Sequence, residues 1–509
     1  MSMDRRSFVK TAGIAGGAVA AGVVSNTAFA DEKPAEGFAS QVTETKECDI
    51  CVVGAGISGL AAAVQAGEGG AKVIVLEVSP SIGGNGAGTE GMFGVNTSLQ
   101  KEQGIEVSFA KIINNELRAF NYKIDTTFWR DQYDNAGDNL DWLISNGVKF
   151  SGVVDNYGIG RVDTFHWYES NALECYVSPM EAKALEYGVE IITEARGREL
   201  VQAEDGTVTG IYATTPNGVL QVNAKAVILA SGGFASNPDM MEHQGIVVAN
   251  SILNGSPYNI GDGFNMAYAA GAFDNRHVTC FLTNALIGDL SFFLGIRLGG
   301  DGNSLWINQE AVRYTDENCA AVSDGCCSNA VSFQQDSYMI CDEDILGIMH
   351  DAWAQDTFDN FDVKGEVASC LEAGSECIFK ADTLEELAEQ VGLNADALVA
   401  AVERYNGYCE AGEDEDFGKD PAMLHAIKTA PFYALKQKCC YGTSMGGIMV
   451  NRNYQVLKQS REAIPGLYAV GTDSCMLYYG TYTIEVPASI GGCNLNSGRM
   501  AARHALSTL

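Results

Sequence analysis

Residues 47–77 read ECDICVVGAGISGLAAAVQAGEGGAKVIVLE, and no other segment restricts the possible folds as strongly. The apolar run Ile50 to Val53 predicts a buried parallel strand. It ends in Gly54-Ala55-Gly56-Ile57-Ser58-Gly59. A small-residue helix over about Gly59 to Glu68 follows, then a second strand over Lys72 to Leu76 that ends in Glu77. Gly54 permits the tight turn, Gly56 lets the backbone approach a pyrophosphate, and Gly59 allows close helix–strand packing. The helix N-terminus faces the phosphates, and Glu77 accepts hydrogen bonds from a ribose diol. Strand, helix, strand and acid in register predict an α/β chain with a doubly wound, Rossmann-like dinucleotide-binding domain.

With 509 residues, the chain has material for about two to four domains, or one large discontinuous pair. Its net charge of −33 argues against nucleic-acid binding, which calls for basic surface. The acidity reads as a solvated surface, with docking to a basic electron-transfer partner as the sharper alternative. The opening segment MSMDRRSFVKTAGIAGGAVAAGVVSNTAFA has a twin arginine (Arg5, Arg6), then Phe8, Lys10, a small apolar stretch and Ala28-Phe29-Ala30. It resembles a bacterial twin-arginine export signal over residues 1–30, although Asp4 replaces the usual Ser or Thr. Its apolar part, about Thr11 to Val24, is too short and glycine-rich for a retained anchor. The expected location is extracytoplasmic. Removing residues 1–30 takes away three cations and Asp4, so the mature charge is −33 − 2 = −35.

The fifteen cysteines all follow residue 30, without the even spacing of a disulfide framework. Cys48 and Cys51 have redox-motif spacing, but in a regular strand their side chains point to opposite faces. Cys326-Cys327 and Cys439-Cys440, with Cys319 nearby, are the candidates for a metal or iron–sulfur centre; the structural reading is preferred and no metal is expected. No C-x-x-C-H occurs for covalent haem.

After Glu77 the chain continues SPSIGGNGAGTEGMFGVN. Here it resembles the flavoprotein subunits of the fumarate reductase and succinate dehydrogenase family. Three later segments match in order: GRELVQAEDGTVTGIYA with AKAVILASGGF, then NIGDGFNMAYAAGA, then IPGLYAVGT. The resemblance covers about residues 46–509 and implies FAD. It carries cofactor-binding roles onto Ser58, Glu77, Asn85, Gly86, Gly91, Val201, Ala230, Asp262 and Thr472, beside Gly54, Gly56 and Gly59. Thr472 departs from the family's Glu. No histidine lies near residues 81–97, where covalently flavinylated relatives have theirs, so the FAD is expected to be non-covalent. The implied layout is an FAD domain over 46–275 and 440–509 with an inserted α+β capping domain over 276–439. In the latter, Arg313, Tyr314 and Glu317 resemble the family's Arg-aromatic-x-x-Glu turn.

Reduced flavin delivers hydride to one carbon of an activated alkene, and a positioned acid must protonate the other. In fumarate reductases two arginines and two histidines do this while clamping the carboxylates. Alignment on the matching motifs puts Ala321 and Tyr482 at the arginine positions and Thr443 at one histidine position; FLTNAL lacks the other. A buried dicarboxylate without a bidentate guanidinium would keep unpaired charge, so fumarate and succinate are disfavoured. The 3-ketosteroid dehydrogenases, a sister branch, have a catalytic tyrosine at the offset of Tyr482. A phenol suits a ketone or lactone oxygen.

Tyr482, within CMLYYGTYTIEVPASIGG, is therefore the leading catalytic candidate, with Tyr478 and Tyr479 beside it. Tyr338, Tyr157 and the cluster His166, Tyr168 and Glu169 are further candidates that read more simply as core or surface. PASIGG predicts a helix start whose amides, about Ser489 and Ile490, face the flavin's pyrimidine edge. With no second dinucleotide fingerprint, electrons are expected from an external donor such as a membrane-anchored multihaem cytochrome. The expected activity is reduction of an enone, steroid, unsaturated lactone or plant phenolic, as in exported flavoprotein reductases of the cardiac glycoside reductase type. Alternatives are a ketosteroid-type dehydrogenase, a reductase of a carboxylate such as urocanate, and a flavin electron carrier with a decayed site.

Overall fold

The computed structural model describes residues 37–158, 160–321, 324–354 and 360–509; the export-signal segment lies outside the described residues. The chain divides into two compact units. The larger holds 37–240, 255–282 and 442–509; the smaller holds 241–254 and 283–441. Residues 251–253 fall in the smaller unit because they pair in parallel with 439–441.

The larger unit is built on an eight-stranded sheet. Its main path uses β1 (Val42–Val53), β2 (Val73–Leu76), β3 (Glu190–Ile192), β4 (Gly218–Leu229), β5 (Gln455–Leu457) and β6 (Ala463–Ala469), in the order β5-β6-β4-β1-β2-β3. All neighbours on this path are parallel except β5 and β6. A hairpin of strands Arg196–Gln202 and Val208–Thr215 attaches to β4. The strand order reverses direction beside β1, so a crevice opens past the carboxyl ends of the strands there. The register brings those ends level: Val53 lies opposite both Leu76 and Leu229, and Leu229 lies opposite Ala469.

β1 is far longer than the expected run 50–53. Its first half pairs with β4 while carrying the exposed residues Glu44, Thr45 and Glu47, so no apolar pattern announces it. At its middle the amides of Asp49 and Ile50 both donate to the Lys72 carbonyl (2.8 and 3.2 Å), the pattern of a β-bulge. The Cys48 thiol points to the Asn223 carbonyl at 3.7 Å, while Cys51 is fully buried and its thiol pKa is raised by its neighbour Cys48 and by burial.

The helix α1 (Ile57–Glu68) is buried over Ile57 to Gly67. Its alanines and glycines let the C-terminal helix, Ser489–Ser507, approach closely: a Cβ on Gly498 would lie 2.3 Å from the Ser58 carbonyl oxygen. A three-stranded sheet of Gly91–Phe93, Phe165–Tyr168 and Phe150–Asp155 completes the unit. His166 is fully buried in it, with Nε2 2.8 Å from Thr97 Oγ1, and burial pushes its pKa down to about 4. His166 and Tyr168 are core residues.

The smaller unit has a six-stranded sheet organised on Phe432–Met445, with helices including Glu343–Trp353 and Ala395–Ala411. The Arg313 guanidinium binds Glu317 through Nε and Nη2 (2.8 Å each) and Asp414 through Nη1 and Nη2 (2.8 Å each). Lys419 Nζ lies 3.3 Å from Glu317 and donates to the Ser304 carbonyl and the Tyr405 hydroxyl at 2.9 Å. Tyr314 shares a 2.6 Å hydrogen bond with Ser337, and Tyr338 is buried in strand Ser337–Asp342. Cys319 and Cys327 meet at 3.4 Å and Cys439 donates to the Ser328 carbonyl, yet no metal-binding group of three or more His, Cys, Asp or Glu occurs among the described residues. Nor is any described helix long and apolar enough to cross a membrane.

Candidate active site

The loops past the carboxyl ends of the sheet bring together segments far apart in sequence. Each glycine of the β1–α1 turn meets a different environment. A Cβ on Gly54 (φ +107°) would lie 2.3 Å from the Ala230 carbonyl oxygen, and one on Gly59 would lie 1.9 Å from that of Gly54. One on Gly56 would meet nothing nearer than 3.8 Å. Gly54 and Gly59 are thus needed for protein packing, whereas Gly56 leaves its open side free at the N-terminus of α1. A dinucleotide pyrophosphate requires that combination.

Glu77 accepts the Ala55 amide on Oε2 (2.7 Å) and the Ser79 amide on Oε1 (2.8 Å), and each oxygen keeps a lone pair for a ribose hydroxyl. Burial raises its pKa, opposed by these amides. The segment 83–88 runs past this turn. Asn85 donates to the Gly442 carbonyl (3.1 Å) and accepts from the Ser256 amide (2.6 Å), and Gly86 closes on the Ile57 side chain. Gly91 opens strand Gly91–Phe93, and the His166 carbonyl oxygen of the neighbouring strand lies 2.3 Å from where its Cβ would stand. Val201 is half-buried on the hairpin. Asp262 starts the helix Asp262–Ala269, and its carboxylate accepts from Arg196 at 2.8 and 2.7 Å, one bond on each oxygen. Thr472 stays partly exposed while its carbonyl accepts the Gly446 amide at 2.8 Å.

Asp473, absent from the expected set, locks this edge. It is fully buried and accepts the Ser231 amide (2.7 Å), the Ser231 hydroxyl (2.9 Å) and the Gly233 amide (2.7 Å). It thereby ties the turn after β4 to the turn after β6. Burial raises its carboxyl to about 6 against those donors. An acid directly after the strand-ending Gly471-Thr472 was the available signal.

The phenols gather on the segment between β6 and the last helix, here named α2 (Ser489–Ser507). Tyr478 and Tyr482 are both buried, with rings edge-to-face at 5.0 Å. The Tyr478 hydroxyl donates to Ser489 Oγ at 2.6 Å, and the same serine lowers the Tyr482 phenol's pKa against the larger effect of burial. Burial pushes both phenols well above the ordinary range. Tyr479 does not join them. The turn at Gly480 (φ +70°) sends it outward to Lys123, whose Nζ lies 3.4 Å from its hydroxyl. The Ser489 amide is also not free, since it donates to the Val486 carbonyl at 3.2 Å. The Gly492 amide closes on Ala488, which leaves Ile490 and Gly491 as the first-turn amides outside the helical ladder. Tyr157 stacks on Trp167 and Phe165, away from this group, and Thr443 is buried where a histidine was compared.

These residues fit a flavin dinucleotide, and the comparisons decide the matter. Residues 49–485 match the FAD binding domain family. The chain belongs to that family. Its cofactor is FAD, and the protein is an FAD-dependent oxidoreductase with a fumarate reductase-like fold. It is 32% identical over 481 residues to a vinyl phenol reductase of Lactiplantibacillus plantarum, covering 90% of this chain and 96% of that one. It is 30% identical over 440 residues to a urocanate reductase of Eggerthella lenta, covering 84% and 70%. In fold it is similar to the open conformation of a flavocytochrome c3 fumarate reductase, with a TM-score of 0.69, 24% identity, and coverage of 92% of this chain and 79% of the other.

Proposed function

We propose that this oxidoreductase reduces an activated carbon–carbon double bond in a neutral or weakly polar substrate, with a vinyl phenol-like plant phenolic as the leading candidate. Enones, steroids and unsaturated lactones fall within the same chemistry. The observation that carries this reading is the uncharged hydroxyl cluster Tyr478–Ser489–Tyr482 at the N-terminus of α2. Fumarate-reducing relatives have a guanidinium at the position compared with Tyr482. Without it, a dicarboxylate would be buried unpaired. The similarity to a vinyl phenol reductase supports the same choice.

Gly54, Gly56, Ser58 and Gly59 would hold the pyrophosphate, Glu77 the ribose, Asn85 to Gly91 the wrapping segment, and Val201, Ala230, Asp262 and Thr472 the remaining walls. Ile490 and Gly491 would face the pyrimidine edge. When bound and reduced, FAD would supply one hydride, which carries both electrons, to one alkene carbon. Tyr482 donates the proton to the other, and Ser489 holds its hydroxyl. Burial keeps the Tyr482 phenol protonated, which disfavours the phenolate base that the dehydrogenase direction needs. Export by the twin-arginine route, non-covalent FAD and an external cytochrome donor complete the proposal.

The test is turnover with reduced methyl viologen as donor and 4-vinylphenol, an enone, urocanate and fumarate as acceptors. We expect turnover of 4-vinylphenol or the enone above that of fumarate. Tyr482→Phe should lower it by about tenfold or more with FAD retained. Fast fumarate turnover, or an unaffected Tyr482→Phe enzyme, would remove the reading.

A further inference from the structure

Proton supply is the weak point of a site built from phenols. A buried phenol whose pKa is pushed upward is a poor acid by itself, and it must be reprotonated as it gives up its proton. Directly behind the pair lies a carboxyl that no sequence motif identified. Glu116 sits on the helix Phe109–Ala119 and has no solvent exposure. Four residues on, the Phe120 ring packs edge-on against Tyr478 at 6.0 Å. The helix thus presents Glu116 and Phe120 on one face to the tyrosine segment.

Its carboxylate meets one hydroxyl: Thr483 Oγ1 lies 3.3 Å from Oε1 and 3.4 Å from Oε2. Thr483 adjoins Tyr482 in the chain. The charged and titratable groups acting on the carboxyl are Glu485 and Arg161, and it acts in turn on the phenols of Tyr478 and Tyr482. Arg161 Nη2 binds Glu485 Oε1 at 2.7 Å. The arginine side chain is 54% exposed and the glutamate 12%, so this pair leads from solvent inward. Among the described residues no cation pairs directly with Glu116, unlike the carboxylates at Arg313. Burial and the Glu485 charge, opposed by Thr483 and Arg161, raise it to about 8. It therefore holds a proton at neutral pH and can release it there.

We propose that Glu116 is the proton reservoir of the phenol pair, passing a proton to Tyr482 and recovering one from solvent through the Arg161–Glu485 doorway. The inference rests on the alkene-reduction reading. The balance is simple. The alkene gains hydride, with two electrons, from reduced FAD at one carbon. It gains the Tyr482 hydroxyl proton at the other carbon as a new C–H bond forms. The Glu116 proton restores the phenol, and the resulting carboxylate takes one proton from water. Glu116 acts through Tyr482 and touches no reacting atom, so it is a relay residue and not a catalytic one.

The experiment compares wild-type, Glu116→Gln and Glu116→Asp holoenzymes. Oxidation of the reduced protein by 4-vinylphenol and by an enone is followed from about pH 6 to about pH 10, alongside the infrared band of a protonated carboxyl. The wild-type rate should fall as pH rises through about 8, with loss of that band over the same range. Glu116→Gln should keep FAD, lack the band, be slower by about tenfold or more below that pH, and lose the pH step. Glu116→Asp should recover part of the rate. A Glu116→Gln enzyme with the wild-type rate or the same pH step overturns the relay while leaving alkene reduction standing. So does a wild-type band that Glu116→Gln retains. A wild-type enzyme that neither alkene oxidises overturns both readings.

Discussion

Two buried polar groups in this protein contrast sharply. Around Arg313 in the smaller unit, two cations and two carboxylates are packed with side chains at most 7% exposed. Every charge there faces an opposite one. Burial alone would lower the arginine's pKa, but the two carboxylates raise it, and Arg313 holds Asp414 well below the carboxylate range. Such a cluster has no proton to give at ordinary pH. In the larger unit, Glu116 is as deeply buried but is met by a threonine hydroxyl, and its pKa moves the other way. A buried carboxyl beside a guanidinium is a fixed brace; the same group beside hydroxyls carries a proton.

The contrast can be broken most forcefully at the brace. Arg313→Met leaves Glu317 with Lys419 alone and takes from Asp414 its guanidinium, and breaking a buried pair of this kind costs about 3–5 kcal/mol. Urea unfolding should show that loss, and a variant within about 1 kcal/mol of wild type would mean the charges are not mutually dependent. Next in size is the pH dependence of stability. Glu116 has its folded pKa raised from 4.5 to about 8, so its stabilising contribution is complete below the unfolded value and is lost as pH rises through about 8. Glu116→Gln should remove an alkaline loss on the order of a few kcal/mol, visible as a smaller fall in Tm between mildly acidic and alkaline buffer. Asp414 works with the opposite sign: its lowered pKa stabilises above the carboxylate range and that contribution is lost on acidification. The smallest effect is expected from Arg161→Ala. Its cation lowers Glu116, so removing it should move the fall in turnover to higher pH, by less than about one unit for so exposed a partner. A shift to lower pH would place Arg161 outside the path.

Much of this was readable before any coordinates. The run from Ile50 to Glu77 announced its own strand, turn and helix, because glycine spacing and apolar periodicity act within a few residues. Other features escaped for physical reasons. The first half of β1 is polar on its surface and is held by pairing with β4, which no local pattern records. The ion pair of Asp262 with Arg196, 66 residues earlier in the chain, also lies beyond any local pattern. Glu116 did leave a trace, as an acid on the apolar stripe of Ile112, Ile113 and Phe120. Nothing in NNELRAF, however, tells which phenols it would meet.

Sequence alone determined that this chain binds a dinucleotide, since turn geometry and helix packing need those residue types at that spacing. Tertiary structure decided which tyrosines share a hydrogen-bonded serine, which one turns outward to Lys123, and which carboxyl is left without a cation. The physical reason is range. Backbone conformation is specified by neighbouring residues, whereas the charge state of a buried acid is set by whatever the fold brings against it from hundreds of residues away.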